Sequence, residues 1–154
     1  MPRRFKEASH WKGSNPDSQA EQLKSLEYAT SLSACPIATG FRILGKRWTI
    51  EIVRELFLGT TKFSEMMKGA PGINPRMLSL RLKELEEHQI VVRRVSSTTP
   101  VSIDYTLTDS GKDLVPVMFE MASYSMRNFP EKVFQDGKSR TFEQVIREKS
   151  VRSK

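Results

Sequence analysis

The chain has 154 residues, 38% of them hydrophobic, enough for one modest domain with added segments at its ends. Its formal charge of +7 favours polyanionic partners, because displacing counterions from phosphates drives association whatever sequence is read. The single cysteine, Cys35, excludes an intramolecular disulfide and any zinc site built on paired cysteines, and no run nears the ~18 apolar residues of a membrane span.

Met1 to about Gln19 mixes charge, Gly, Ser and Pro without periodicity, so residues 1–34 read as a flexible extension with a weak helix at about Ala20–Leu32. No apolar stretch follows the basic start, so it is no secretory leader, and a reducing cytoplasm is the simplest location. Pro36 suits the first turn of a helix through Ile37, Phe41 and Leu44, which Gly45 ends. A second helix is predicted over Trp48–Leu58, burying Trp48, Ile52, Val53, Leu56 and Phe57. Thr61 is expected to cap a short third helix carrying Phe63, Met66 and Met67 and ended by Gly69. After the turn Ala70-Pro71-Gly72, Asn74 is placed to cap a fourth helix that has Pro75 at its first position and runs to about His88.

The period then changes. Ile90–Val95 is rich in β-branched residues, and Ile103, Tyr105 and Leu107 alternate with polar neighbours, so the two runs form a hairpin around Ser96–Pro100. Thr108 with Asp109 starts a long helix to about Phe129, which Pro116 should bend. Residues 130–154 form a basic tail with room for a short helix at Thr141–Lys149. The expected class is mainly α with a small β-hairpin wing: a winged helix-turn-helix domain over residues 35–129.

The fourth helix carries the chemistry. At 100° per residue, Leu78, Leu82 and Leu85 share one side, with Met77 and Arg81 near its edges. Arg76, Ser79, Leu80 and Lys83 lie opposite, and no acid precedes Glu84. Positive charge, a small hydroxyl and the positive end of a helix suit the major groove of double-stranded DNA. Arg76 and Lys83 are candidates for guanine edges or phosphates, Ser79 for either, and Leu80 for a thymine methyl. An ordinary solvated face is the plain alternative, and Leu80 could instead touch a neighbouring element. Lys62 and Ser64 stand where backbone N–H groups favour a phosphate, although Ser64 could serve only as a cap.

The segment CPIATGFRILGKRWTIEIVRELFLGTTKFSEMMKGAPGINPRMLSLRLKELEEHQIVVRRV, continued by VSIDYTLTDSGKDLVPVM, resembles the HxlR-type winged-helix regulators, members of the wider MarR-like and ArsR-like superfamily. The likeness covers roughly Cys35–Tyr124, and is most specific at Gly45-Lys46-Arg47-Trp48, Lys62-Phe63-Ser64-Glu65, Pro71-Gly72-Ile73 and Tyr105-Thr106-Leu107-Thr108. It implies a cytoplasmic homodimer that regulates transcription on a near-palindromic operator. The last long helix would then pair with its twin through Leu114, Val117, Met118, Met121 and Ala122, with Met126 beside them. The alternative for that methionine-rich face is ordinary core.

Two departures weaken the wing. Where members of that family commonly have a glycine entering the first wing strand, this chain has Gln89, and Ser102 replaces a frequent arginine or lysine. The tip, Ser96–Ser102, has no charge, which leaves Arg94 at the base as the wing contact and the basic tail to supply further attraction. The resemblance also implies that Cys35, at a helix start beside the positive dipole end, senses oxidants; a small buried residue is the alternative. No catalytic machinery is visible. The only histidines, His10 and His88, have no nucleophile at a suggestive spacing, so neither enzyme activity nor a cofactor is expected. A winged helix used only for protein interaction is the remaining competitor.

Overall fold

The computed structural model describes residues 16–28, 32–96 and 102–152. The expected flexible start up to residue 15, His10 included, and the wing tip at 97–101 lie outside the described residues. The chain divides into two units, residues 1–49 and 50–154.

The first unit holds α1 (Pro16–Tyr28) and α2 (Pro36–Leu44). Helix α1 begins four residues before the expected Ala20, because Pro16 pre-sets the first turn and Asp17 complements its dipole. Helix α2 keeps its expected bounds: Pro36 opens it, and the Gly45 N–H donates to the Phe41 carbonyl at 2.8 Å. Yet α2 buries no residue; Ile37 is 52% and Phe41 71% exposed. Trp48 takes a left-handed backbone, φ +76°, with the Arg47 guanidinium 4.7 Å from its ring centre.

The second unit is built on the helix that opens at the boundary, α3 (Thr49–Phe57), followed by α4 (Phe63–Gly69) and α5 (Pro75–Glu87). Its core is Ile52, Val53, Leu56, Met66, Ala70, Ile73, Leu78, Leu82, Leu85, Ile90 and Val91, with Val115 and Met126 from a later helix. Each large apolar side chain buried this way stabilises the fold by about 1.5–3 kcal/mol. Two expected core residues fall outside it. Trp48 precedes α3 and is half-buried, and Phe57 is 41% exposed because it lies about 40° beyond Val53, past the buried arc.

Strands β1 (Val91–Ser96) and β2 (Ser102–Leu107) pair antiparallel, with Val91 opposite Leu107 and Ser96 opposite Ser102. Ile90 belongs not to the strand but to the stop of α5. The Ile90 N–H donates to the Leu85 carbonyl and the Gln89 N–H to that of Glu86, both at 2.9 Å, which is a Schellman closure. It needs a left-handed residue, and Gln89 supplies it at φ +56°. The place where a glycine was missed in the sequence is thus the place where a glycine would be unstrained.

The expected long final helix is two. Helix α6 (Asp109–Lys112) ends before Leu114, and α7 (Val115–Asn128) begins with Pro116 in its first turn. Pro116 lacks an N–H and would clash with the carbonyl four residues earlier, so the chain breaks there instead of bending. Met126, expected beside the pairing face, is buried within the unit.

Beyond α7 come α8 (Pro130–Val133) and α9 (Phe142–Arg152), the latter starting one residue later and ending three residues later than expected. A reciprocal cap starts α9: the Thr141 N–H donates to Gln144 Oε1 at 2.8 Å and the Gln144 N–H to Thr141 Oγ1 at 3.3 Å. Phe142 meets Phe119 edge to face at 5.2 Å, tying α9 to α7. Among the described residues, no helix is long and apolar enough to cross a membrane.

Candidate nucleic-acid interface

Helices α4 and α5, joined by a tight turn, form the helix-turn-helix, and α5 is placed by its sequence at both ends. The Met77 N–H donates to Asn74 Oδ1 at 2.8 Å, Pro75 sits at the first position, and the first turn carries no acid. Leu78, Leu82 and Leu85 are buried, and Met77 and Arg81 half-buried, as the 100° spacing requires. Arg76, Ser79, Leu80 and Lys83 all face outward, with Leu80 45% exposed. Four side chains that reading put on one stripe are therefore together on an open surface.

Their charges are not equally available. Arg81 pairs with Glu84 at 2.6 Å, which keeps it at the margin of the stripe. Lys83 lies 3.8 Å from Glu87, but both side chains are well exposed, so the pair is weak and screened by salt. Arg76 has no ion pair among the described residues, and it stands at the positive end of the helix.

The start of α4 differs from expectation. Lys62, not Thr61, is its N-cap residue, and no side chain caps it. The Thr61 hydroxyl instead donates to the Asp104 carboxylate at 2.9 Å, and Lys62 Nζ lies 2.8 Å from the same group and also bonds Ser102 Oγ. The backbones are joined as well: Lys62 bridges Asp104, and the Tyr105 N–H donates to the Thr61 carbonyl at 2.9 Å. Lys62 is thus held on the wing, whereas Ser64 is exposed in the first turn of α4.

On the wing, Arg93 and Arg94 are exposed, and Arg94 lies across from Asp104. The C-terminal segment is less free than its composition implied. Arg140 binds Asp136 at 2.6 Å and Glu148 at 2.7 Å and stacks 4.8 Å over the Phe134 ring. The hydrogen bond from Arg140 holds the Asp136 carboxyl well below the usual carboxylate range.

Sequence reading missed Asp104 as the anchor of the wing, and missed Glu55. The Glu55 side chain is almost fully buried at the back of α4, bound by Arg54 at 2.7 Å, and a Cβ at Gly69 would run into it. Gly69, read in the sequence only as the end of a helix, leaves the space that this carboxylate occupies.

Cys35 is exposed at the start of α2, where its carbonyl accepts the Thr39 N–H at 2.9 Å. On α7, Val117, Met121 and Tyr124 are exposed on one side, with Leu114 and Met118 half-buried at its edge and Ala122 turned toward the buried side. Among the described residues, no three His, Cys, Asp or Glu side chains converge as a metal site.

Comparison with known proteins bears on this arrangement. The model of the HxlR-like helix-turn-helix family matches residues 43–133, more than half of the chain. The uncharacterized HTH-type transcriptional regulator YvaP of Bacillus subtilis (strain 168) is 46% identical over 83 residues, which cover 54% of this chain and 77% of YvaP. The solved reduced form of the transcriptional regulator YodB from B. subtilis superposes with a TM-score of 0.54 at 40% identity, covering 60% of this chain and 91% of that one. The redox regulator HypR in its reduced form gives 0.55 at 29% identity, covering 59% and 90%.

Proposed function

The chain belongs to the HxlR-like helix-turn-helix family of transcriptional regulators, and from that premise we propose that it binds a specific double-stranded operator as a homodimer. The observation that carries the reading is the outward stripe of α5. Arg76, Ser79, Leu80 and Lys83 stand exposed on a helix held rigid by three buried leucines and an Asn74 cap, with no acid before Glu84. Donors at its N-terminal half suit base edges, and Leu80 suits a thymine methyl. Ser64 and Arg94 add phosphate contacts on either side, and Lys62 lies beside them on the wing.

Pairing is supported by α7, whose Val117, Met121 and Tyr124 form an apolar stripe exposed in the single chain, with Leu114 and Met118 beside it. Exposed Ile37 and Phe41 on α2 are a second such face. A two-fold dimer would set two copies of α5 about 34 Å apart, one turn of a near-palindromic site. Residues 35–129 make up the binding and pairing unit, and 1–34 and 130–154 are additions to it.

Cys35 is the thiol through which such a regulator would answer an oxidant, supported by its exposure and by the redox regulator HypR among its relatives. Native thiol titration tests this part: an unreactive Cys35 removes it.

For the main reading, the test is binding to random duplex DNA at low salt. Affinity should fall steeply as salt rises, log K dropping with log salt by roughly 0.9 per neutralised phosphate. A chain that binds no duplex at low salt would contradict it and leave a winged helix used for protein interaction.

A further inference from the structure

We propose that Asp104 is an internal counter-ion that sets how many phosphates the interface neutralises, by holding the Lys62 ammonium that DNA would otherwise take. The inference rests on the DNA-binding reading and goes beyond it. Lys62 stands at the start of α4, where a groove-bound helix-turn-helix meets the phosphate backbone, yet its ammonium sits 2.8 Å from the Asp104 carboxylate. This is no chance meeting of two long side chains. The Lys62–Asp104 backbone bridge and the Tyr105-to-Thr61 hydrogen bond fix the two positions, and the Thr61 hydroxyl orients the carboxylate from one side. Asp104 is also the sole acid in the described hairpin, and it lies opposite Arg94.

The pair is open to solvent, its side chains 38% and 28% exposed, so an incoming phosphate can reach the ammonium. It reaches an ammonium already neutralised. Binding through Lys62 then needs the carboxylate displaced, and the cation drops out of the count that makes affinity salt-dependent.

The test is the salt dependence of binding to one fixed duplex between about 50 and 200 mM KCl. Wild type is compared with Asp104→Asn, Lys62→Met and the double variant. Asp104→Asn keeps an amide oxygen for Thr61 and both backbone bonds. It should bind more tightly at low salt with a slope steeper by about one phosphate, a roughly threefold gain that vanishes at the upper salt limit. Lys62→Met should keep the wild-type slope, and the double variant should match it. A Lys62→Met slope shallower by one phosphate would overturn the proposal, because Lys62 would then already contact DNA. So would an unchanged slope in folded Asp104→Asn, or a steeper one that persists without Lys62. Wild type that binds no duplex would overturn the DNA-binding reading itself.

Discussion

The backbone carbonyl of Gln89 accepts the Thr108 hydroxyl at 2.6 Å, so the stop of α5 and the start of α6 share one side chain. The same oxygen of Thr108 accepts the Gly111 N–H at 3.0 Å. Two substitutions at this junction should move stability in opposite directions. Thr108→Val removes both bonds and should lower stability by about 1–3 kcal/mol. Gln89→Gly keeps the carbonyl while relieving a left-handed backbone, and should raise stability by about 0.5–1 kcal/mol. Denaturant midpoints at unchanged slope measure both.

Two glycines should answer alanine differently. A Cβ at Gly111 would collide with the backbone carbonyl of Ile90 and touch Leu107, neither of which yields cheaply. Gly111→Ala should cost about 2–3 kcal/mol, as overpacking does. At Gly40, inside α2, a Cβ meets nothing, so Gly40→Ala should stabilise by about 0.5–1 kcal/mol through helix propensity. Thermal unfolding of the two variants, one shifted down and one up, checks this.

Much of this was legible in the sequence, and what was not has a common physical cause. Periodicity placed Leu78, Leu82 and Leu85 inward and Arg76, Ser79, Leu80 and Lys83 outward, because α5 obeys one local rule along its length. Asn74 was readable as a cap for the same reason. The partner of Lys62 was not, since Asp104 lies 42 residues away and only the folded hairpin brings them together. The burial of Glu55 was not legible either, since it depends on Gly69 in the next helix, whose missing side chain leaves room for the carboxylate. Pro116 was read as a bend where it is a break, because proline fits a first turn at no cost.

Pairing through α7 predicts that Met121→Glu gives a folded monomer. Met121 is 51% exposed in the single chain, so a charge there should leave the monomer's circular dichroism unchanged. Light scattering should find a dimer for wild type and half that mass for the variant. A monomeric wild type would remove this face as a seam.

Asp136 carries a pH prediction. Its carboxyl is lowered from 3.8 by the hydrogen bond from Arg140, so the contact favours folding above the ordinary value and is lost only as pH falls through the lowered one. The Asp136 carboxyl carbon should therefore still report the ionised form at pH 3.8, with the Arg140 contacts to Asp136 intact. A midpoint near 3.8 in a carbon-detected titration would contradict that.

The most direct test of the account is binding of wild type and Arg76→Ala, followed by anisotropy, to a duplex selected from genomic fragments and to a random one. Arg76 is exposed, so its removal should leave the fold intact. It should weaken the selected duplex by about 1–3 kcal/mol, at least fivefold, and the random one by less. Equal affinity of both proteins for the selected duplex would show that α5 is not the reading element.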